Sequence, residues 1–179
     1  VYGVHGGIDR FYIDSQRNIW VKTYDEGLYC NVYGRKKHTL TKYGYEEGML
    51  PKEFYFSSMA DWNGTLLVAS SDGELIGVDP ETGKVKWKDR YMIEHGGRTS
   101  EAYNIVVDSE GNYWVMTNLK TFVYDQKAKQ WHPSVNSFLE AHGVAPLPDP
   151  LQIWDVMADK RGWIWIGTDH EGVFVIDFK

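Results

Sequence analysis

The sequence predicts an all-β fold built from four copies of one repeat. The segment 14–23 (DSQRNIWVKT) recurs at 108–117 (DSEGNYWVMT) and at 159–168 (DKRGWIWIGT), and a weaker copy occupies 61–70 (DWNGTLLVAS). The leading aspartates are 47, 47 and 51 positions apart. Aromatic residues make up 15% of the chain, and side chains of this kind favour half-buried sheet surfaces. A period of this length indicates a stacked array of small sheets.

The repeat contains the signals of four short strands, which are complete in the first three copies. An apolar stretch precedes the leading aspartate, the motif itself holds the second strand, and two further strands follow after polar turns. The stretches before the aspartates are 11–13, 55–59, 103–107 and 153–157, the third strands are 75–78, 122–124 and 173–176, and the last strands contain Lys86-Trp87 or Gln130-Trp131. Four antiparallel strands per repeat match the blade of a β-propeller. A solenoid of similar period is the competing reading, but its coils use longer crossings or helices.

The predicted blades span about 8–45, 54–90, 102–133 and 152–179, so that the whole chain is one array of β-propeller blades. The fourth blade is partial, because the sequence ends without a signal for its last strand. The segment 1–4 (VYGV) is a candidate for that strand and would close a four-bladed ring. We favour the alternative, an open arc of a larger ring, partly because the first residue is not Met. An open arc exposes two apolar blade faces, and a homodimer that buries these faces is therefore one possible assembly of the chain.

The repeat carries a family resemblance. The pattern Asp-x-x-Gly-Asn-x-Trp-h-x-Thr (h, apolar), followed by a strand that ends in Asp, resembles the two-component regulator propeller repeat over 108–125 and 153–177. The segment 47–51 (EGMLP) is similar to the Gly-Leu-Pro element that precedes the first strand in that family. The resemblance implies part of a seven-bladed type of propeller and a non-enzymatic sensor module of a hybrid two-component system. It also implies a periplasmic location, an oligosaccharide ligand, and a histidine kinase elsewhere in a parent chain that supplies the remaining blades.

Two alternatives from other classes stay open at this point. One is a propeller enzyme, a polysaccharide lyase or a glycosidase, because carboxylates are too numerous for a catalytic pair to be excluded by counting. The other is a quinoprotein-type or assembly-scaffold propeller that binds protein, because 72–87 (DGELIGVDPETGKVKW) resembles the quinoprotein repeat.

Composition excludes several function classes. Nineteen basic against 25 acidic residues give a net charge of -6, which disfavours nucleic acid as a partner. The six histidines lack metal-ligand spacing, so neither a metal nor a cofactor is expected. The single cysteine, Cys30, lies in an apolar strand and is predicted to be a core residue rather than a nucleophile.

The repeated residues are assigned structural roles, because a catalytic residue should break the repeat rather than follow it. We therefore expect no catalytic residue among the leading aspartates, which instead cap backbone N–H groups in hairpin turns. The repeated tryptophans are predicted to pack between blades. One short helix is predicted over 134–142, with Ser134 as its N-cap. The aspartates are Asp14, Asp61, Asp108 and Asp159, and the tryptophans are Trp20, Trp114 and Trp165.

The candidate ligand-binding residues lie at the linkers that join one blade to the next. In a propeller these linkers meet around the mouth of the central channel, where loops from several blades converge. Aromatic faces with polar neighbours suit sugar rings, whose axial C–H faces are apolar and whose rims carry hydroxyl groups. The non-repeating candidates are Arg10, Lys52, Phe54, Tyr55, Arg98, Glu101, Tyr103, Gln152 and Trp154.

Overall fold

The computed structural model describes residues 4, 6–24, 26–35, 40–43, 47–50, 56–70, 72–96 and 102–178 of the 179-residue chain. Within these residues the chain forms fifteen strands and two short helices. Sheet 1 contains β1 (Ile8–Ile13), β2 (Ile19–Thr23), β3 (Leu28–Asn31) and β4 (Thr41–Tyr43), and sheet 2 contains β5 (Phe56–Trp62), β6 (Thr65–Ser70), β7 (Leu75–Val78) and β8 (Val85–Asp89). Sheet 3 contains β9 (Ala102–Val107), β10 (Tyr113–Thr117), β11 (Thr121–Asp125) and β12 (Gln130–His132), and sheet 4 contains β13 (Ile153–Ala158), β14 (Ile164–Thr168) and β15 (Val173–Ile176). Helix α1 (Tyr91–Gly96) follows sheet 2, and helix α2 (Val135–Ala141) follows sheet 3.

The strands of every sheet are antiparallel and lie in chain order, which confirms the predicted repeat of hairpin-connected strands. Sheets 1 to 3 have four strands each, and sheet 4 has three within the described residues. The segment 1–4, the candidate for a closing strand, lies outside the described residues except for Val4. Neither helix in the described part of the chain has the length and apolarity of a membrane-spanning segment.

The sheets stack face to face in series and share three apolar cores. The first core joins sheets 1 and 2, the second joins sheets 2 and 3, and the third joins sheets 3 and 4. The first strands of the later sheets lie side by side, since β9 contacts β5 on one side and β13 on the other. This arrangement places the first strands of sheets 2, 3 and 4 on the inside of an arc, as in radial blades.

The repeated Asp and Trp form one hydrogen-bonded unit. In sheet 3 the buried carboxylate of Asp108 accepts hydrogen bonds from the backbone N–H groups of Glu110 and Asn112, at 3.0 and 2.9 Å. It also accepts from the side chains of Asn112 and Trp114, at 2.9 Å each. Asp14 in sheet 1 makes the equivalent bonds. These contacts confirm the turn-capping role and show, in addition, that the carboxylate orients the indole.

The predicted role of Asp61 is wrong. Asp61 lies within β5, paired with Leu66, because the two-residue turn Asn63-Gly64 shortens the loop of this copy by one position. Both turn residues have positive φ, 47° and 70°, as a tight Asn-Gly hairpin requires. The Asp61 carboxylate points to the preceding sheet and accepts from the hydroxyl of Tyr12 at 2.6 Å and the backbone N–H of Ser15 at 3.1 Å. Asp61 therefore ties sheet 2 to sheet 1.

The repeated tryptophans pack between sheets where a following sheet is present. Trp20 and Trp114 are completely buried, in the first and third cores, which confirms the prediction for both. Trp165 is half-buried, because no other sheet among the described residues covers its face of sheet 4. Exposed apolar side chains surround it on that face, such as Met157 and Val175.

Two further predictions are confirmed. Cys30 is completely buried in the first core, and burial raises the pKa of its thiol to about 12. Helix α2 covers Val135–Ala141, and the Ser134 hydroxyl accepts from the backbone N–H of Ser137 at 3.1 Å. Phe138 is buried in the third core, so that α2 is wedged beside sheets 3 and 4.

Candidate functional site

A β-bulge recurs at one position in the first strand of every sheet. In β9 Ala102 pairs with Thr117 and Asn104 pairs with Met116, so that Tyr103 is an extra, unpaired residue. Comparison of the pairing registers places the extra residue at the same structural position in all four strands. These residues are Asp9, Ser57, Tyr103 and Trp154. A bulge bends its strand and re-aims the side chain of the extra residue.

The residues after the bulges form a polar row along the inner strands. The Ser58 hydroxyl donates to the side-chain oxygen of Asn104 at 3.0 Å and accepts from the backbone N–H of Ile105 at 3.1 Å. The Asn104 amide in turn donates to Asp155 at 3.2 Å. Arg10 holds the equivalent position in sheet 1 and is exposed. This row fixes the inner strands of sheets 2, 3 and 4 to one another and so fixes the bulges between them.

A cavity of about 850 Å³ opens beside the bulges of sheets 3 and 4. Its walls are the loop 118–120 between β10 and β11, the first turn of α2, the linker 147–152, and the two bulge residues Tyr103 and Trp154. Two sheets and the linker between them therefore contribute to one concave site. Such clefts are the usual form of a ligand site.

The two bulge residues present aromatic rings to this cavity. Trp154 is 57% exposed and Tyr103 is 38% exposed. The Tyr103 hydroxyl donates to the backbone oxygen of Ile153 at 3.4 Å, which holds the phenol beside the neighbouring strand. Burial raises the pKa of Tyr103, and the negative charge of Asp155 raises it further. The phenol therefore stays neutral and keeps its proton at physiological pH.

The linker wall is fixed by a reciprocal amide contact. The Asn136 side chain donates to the backbone oxygen of Leu147 at 3.0 Å and accepts from the backbone N–H of Leu147 at 2.8 Å. Asn136 lies on α2, whose apolar face is buried in the third core. The linker is thus tied to the packed interior, which pre-organises the cavity before any ligand arrives.

The opposite wall adds polar and charged groups. The Thr117 hydroxyl accepts from the backbone N–H groups of Leu119 and Lys120, at 3.3 and 3.1 Å, and shapes the loop. The Lys120 ammonium lies 4.7 Å from the centre of the Phe122 ring. Asp149, on the linker, brings a charge of opposite sign to the same cavity. The site therefore combines two aromatic faces with hydrogen-bonding groups of both polarities.

The structure brings three of the predicted site residues together. Tyr103, Gln152 and Trp154 all line the cavity, whereas Arg10 lies on sheet 1 and is not part of the lining. The other candidates lie outside the described residues, namely Lys52, Phe54, Tyr55, Arg98 and Glu101. Sequence reasoning missed the loop 118–120 and the linker 147–151. The proline-rich composition of 147–151 (LPDPL) was the available signal.

The C-terminal end of α2 is held by a hydrogen bond between His142 and the Asp125 carboxylate, and this carboxylate makes the stability of the fold sensitive to acid. His142 Nε2 lies 2.9 Å from Oδ2 of the buried Asp125. Burial alone would raise the pKa of Asp125, but hydrogen bonds from the Ala128 backbone N–H and from His142 outweigh it and lower the pKa. A carboxyl group with a lowered pKa stabilises the fold above its unfolded pKa of about 4, and this contribution is lost as the pH falls through the folded value.

We therefore expect Asp125→Asn to flatten the acid side of the stability profile. The wild-type chain should lose more free energy of unfolding than the variant as the pH is lowered below about 4. Urea unfolding of both proteins across the acid range gives the difference curve. Parallel profiles would show that the Asp125 carboxylate does not contribute in this way.

The four sheets are the blades of a β-propeller. Their strands are antiparallel and in chain order, the first strands of sheets 2, 3 and 4 lie on the inside of the arc, and a ligand-sized cavity lies between the last two sheets. Residues 146–170 match the family model of the two component regulator propeller, which confirms the resemblance over this repeat. The matched residues include the linker 147–152 and the bulge residue Trp154, so part of the cavity lies within the matched repeat.

Solved structures with the same fold cover nearly the whole chain. The extracellular domain of a hybrid two-component system from B. thetaiotaomicron has a TM-score of 0.63 and 16% identity, over 95% of this chain and 22% of that chain. YCF48 from Cyanidioschyzon merolae has a TM-score of 0.62 and 10% identity, over 96% of this chain and 51% of that chain. The WD40 domain of Neurospora crassa Pan2 has a TM-score of 0.59 and 14% identity, over 96% of this chain and 47% of that chain. No curated protein matches the chain in sequence.

The chain thus spans about a fifth of the length of the first of these structures and about half of the other two. The matched repeat is that of two-component regulators, and the first structure is an extracellular domain of such a system. Among the described residues, no three His, Cys, Asp or Glu side chains converge in a way that could hold a metal ion.

Proposed function

We propose that the chain is the ligand-binding part of an extracytoplasmic sensor, and that it binds an oligosaccharide in the cavity between sheets 3 and 4. The observation that carries this proposal is the pair of exposed aromatic rings, Tyr103 and Trp154, set in a concave site with polar walls. The match to a two-component regulator repeat supports the sensor role. The signal would pass to a histidine kinase elsewhere in a longer parent chain, in the periplasm of the cell.

The chemistry of the cavity fits a sugar ligand. Pyranose rings present apolar C–H faces that pack on aromatic rings, and their hydroxyl rims require donors and acceptors around the edge. Gln152, Asn118 and Asp149 line the cavity and offer both. A volume of about 850 Å³ lies within the range of about 300–1,000 Å³ that is typical of ligand sites.

The position of the cavity suits a signalling role. Its walls belong to two sheets and to the linker that joins them, and Asn136 connects that linker to α2 in the core between the sheets. A ligand that contacts both sheets favours one arrangement of the two over others, because it can shift an equilibrium only through differential contacts. The remaining blades of the parent ring would carry that preference onward.

The proposal is tested by binding. The chain and its intact parent are screened against mono-, di- and tetrasaccharides of β-1,4-galactan, β-1,4-mannan, β-1,4-xylan, α-1,4-glucan and chondroitin, with calorimetry on every probe that binds. We expect saturable binding of one class, with no new reducing ends released. Turnover of a bound glycan would favour a lyase or glycosidase instead, and no binding by either protein would overturn the oligosaccharide proposal.

A further inference from the structure

The first strand of each sheet contains one bulge residue that has no pairing partner in the neighbouring strand. In a regular strand successive side chains point to opposite faces, and both faces of sheet 3 are covered by neighbouring sheets. An extra residue breaks this alternation without displacing the paired residues on either side. In β9 the neighbours Ala102 and Ile105 are buried, whereas Tyr103 is exposed to the cavity.

The same contrast appears in the next sheet. Val156 is buried in the third core, while Trp154, two residues earlier in β13, is more than half exposed and lines the cavity. The pairing around both bulges is otherwise regular, so that side chains at the bulge are free of the packing constraint that governs the rest of the strand. At these two bulges the side chain therefore faces the cavity rather than the core.

The residues found at the four bulges differ accordingly. They are an acid, a small hydroxyl residue and two different aromatics: Asp9, Ser57, Tyr103 and Trp154. By contrast, the Asp and Trp of the hairpin unit are the same residue types in sheets 1, 3 and 4. In sheet 1 the bulge residue Asp9 forms an ion pair with Lys22. The aromatic bulge residues, Tyr103 and Trp154, belong to sheets 3 and 4, and both line the cavity.

We propose that the bulge residues of sheets 3 and 4 determine ligand specificity, and that Tyr103 and Trp154 hold two adjacent sugar units of one oligosaccharide. The inference rests on the proposed function and extends it: the ligand is a disaccharide or longer, and two adjacent sugar units contact the bulge residues of sheets 3 and 4. Tyr103 and Trp154 contact the ligand directly, whereas Asn136 positions the linker wall.

The test compares Tyr103→Ala and Trp154→Ala with a matched control, Met157→Ala. Met157 lies on the same strand as Trp154 and is 53% exposed, but it does not line the cavity. Calorimetry uses the mono-, di- and tetrasaccharide of the glycan that binds the wild-type protein. We expect each bulge variant to weaken the disaccharide and tetrasaccharide by about tenfold or more, with the control unchanged.

Conservative variants separate ring contact from folding. Tyr103→Phe and Trp154→Phe keep an aromatic face and should retain most of the affinity, and urea unfolding of every variant should match the wild type. If the wild-type protein binds and both alanine variants bind equally well, the assignment of the bulge positions is overturned while the sensor proposal stands. If only one alanine variant loses affinity, the two-ring arrangement is overturned. If the wild-type protein binds no probe, the proposed function falls and this inference falls with it.

Discussion

Replacement of Trp114 by alanine is expected to lower the free energy of unfolding by about 3–5 kcal/mol. The indole is completely buried in the core between sheets 3 and 4, where its ring meets Phe138 of α2 edge-on at 5.2 Å between centroids. Its removal leaves a cavity that rigid neighbouring sheets cannot fill, and it deprives the Asp108 carboxylate of one donor. A loss of this size is a large share of the stability of a typical domain.

The repeat supplies the control for this experiment. Trp165 occupies the equivalent position in sheet 4 and donates to its own aspartate, Asp159, at 3.1 Å, but its outer face is not covered by another described sheet. Trp165→Ala should therefore cost clearly less than Trp114→Ala. Urea or guanidinium unfolding of both variants provides the comparison. Equal losses would mean that sheet packing does not determine the contribution of the repeated tryptophan.

Most of the fold could be predicted from the sequence because the repeated residues form the same hydrogen-bonded turn in most copies of the repeat. Wherever Asp, Asn and Trp recur with constant spacing, one carboxylate caps the turn and orients the indole, as in the unit around Asp108. The prediction failed at Asp61, where residue spacing was conserved but the loop was not. The tight Asn63-Gly64 turn removes one loop position, which moves Asp61 into the strand. Spacing alone cannot reveal such a shift, because the pairing partners decide it.

The site was predictable only in part. Tyr103, Gln152 and Trp154 were identified because they interrupt the repeat near a linker, and they do meet at one cavity. The bulges that orient Tyr103 and Trp154 could not be predicted from the residue types. An unpaired residue is defined by the pairing register of two strands, which the sequence alone does not give. The role of Asn136 was equally hidden, because its contact with the linker depends on how α2 docks against the core.

The second large effect is expected for Asp108→Ala. The buried carboxylate accepts from two backbone N–H groups, from the Asn112 amide and from the Trp114 indole, at 2.9 to 3.0 Å. Its removal leaves these donors without an acceptor, and each buried unsatisfied donor costs about 1–3 kcal/mol. Because water can reach part of the hairpin loop, we expect a total loss of about 3 kcal/mol rather than the full sum. The equivalent carboxylate of Asp159 faces a more accessible loop, so Asp159→Ala should lose less.

A double-mutant cycle measures the hydrogen bond between the Trp114 indole and the Asp108 carboxylate, which connects the hairpin turn to the third core. Trp114→Phe keeps an aromatic ring in the third core but removes the N–H group that donates to Asp108. If the carboxylate and the indole stabilise each other, the combined loss in the double variant should be smaller than the two single losses added together. Hydrogen bonds to charged groups contribute about 1.5–3 kcal/mol, and we expect a coupling energy in that range. Additive losses would show that Asp108 acts only on its own loop, and that the indole is oriented by packing alone.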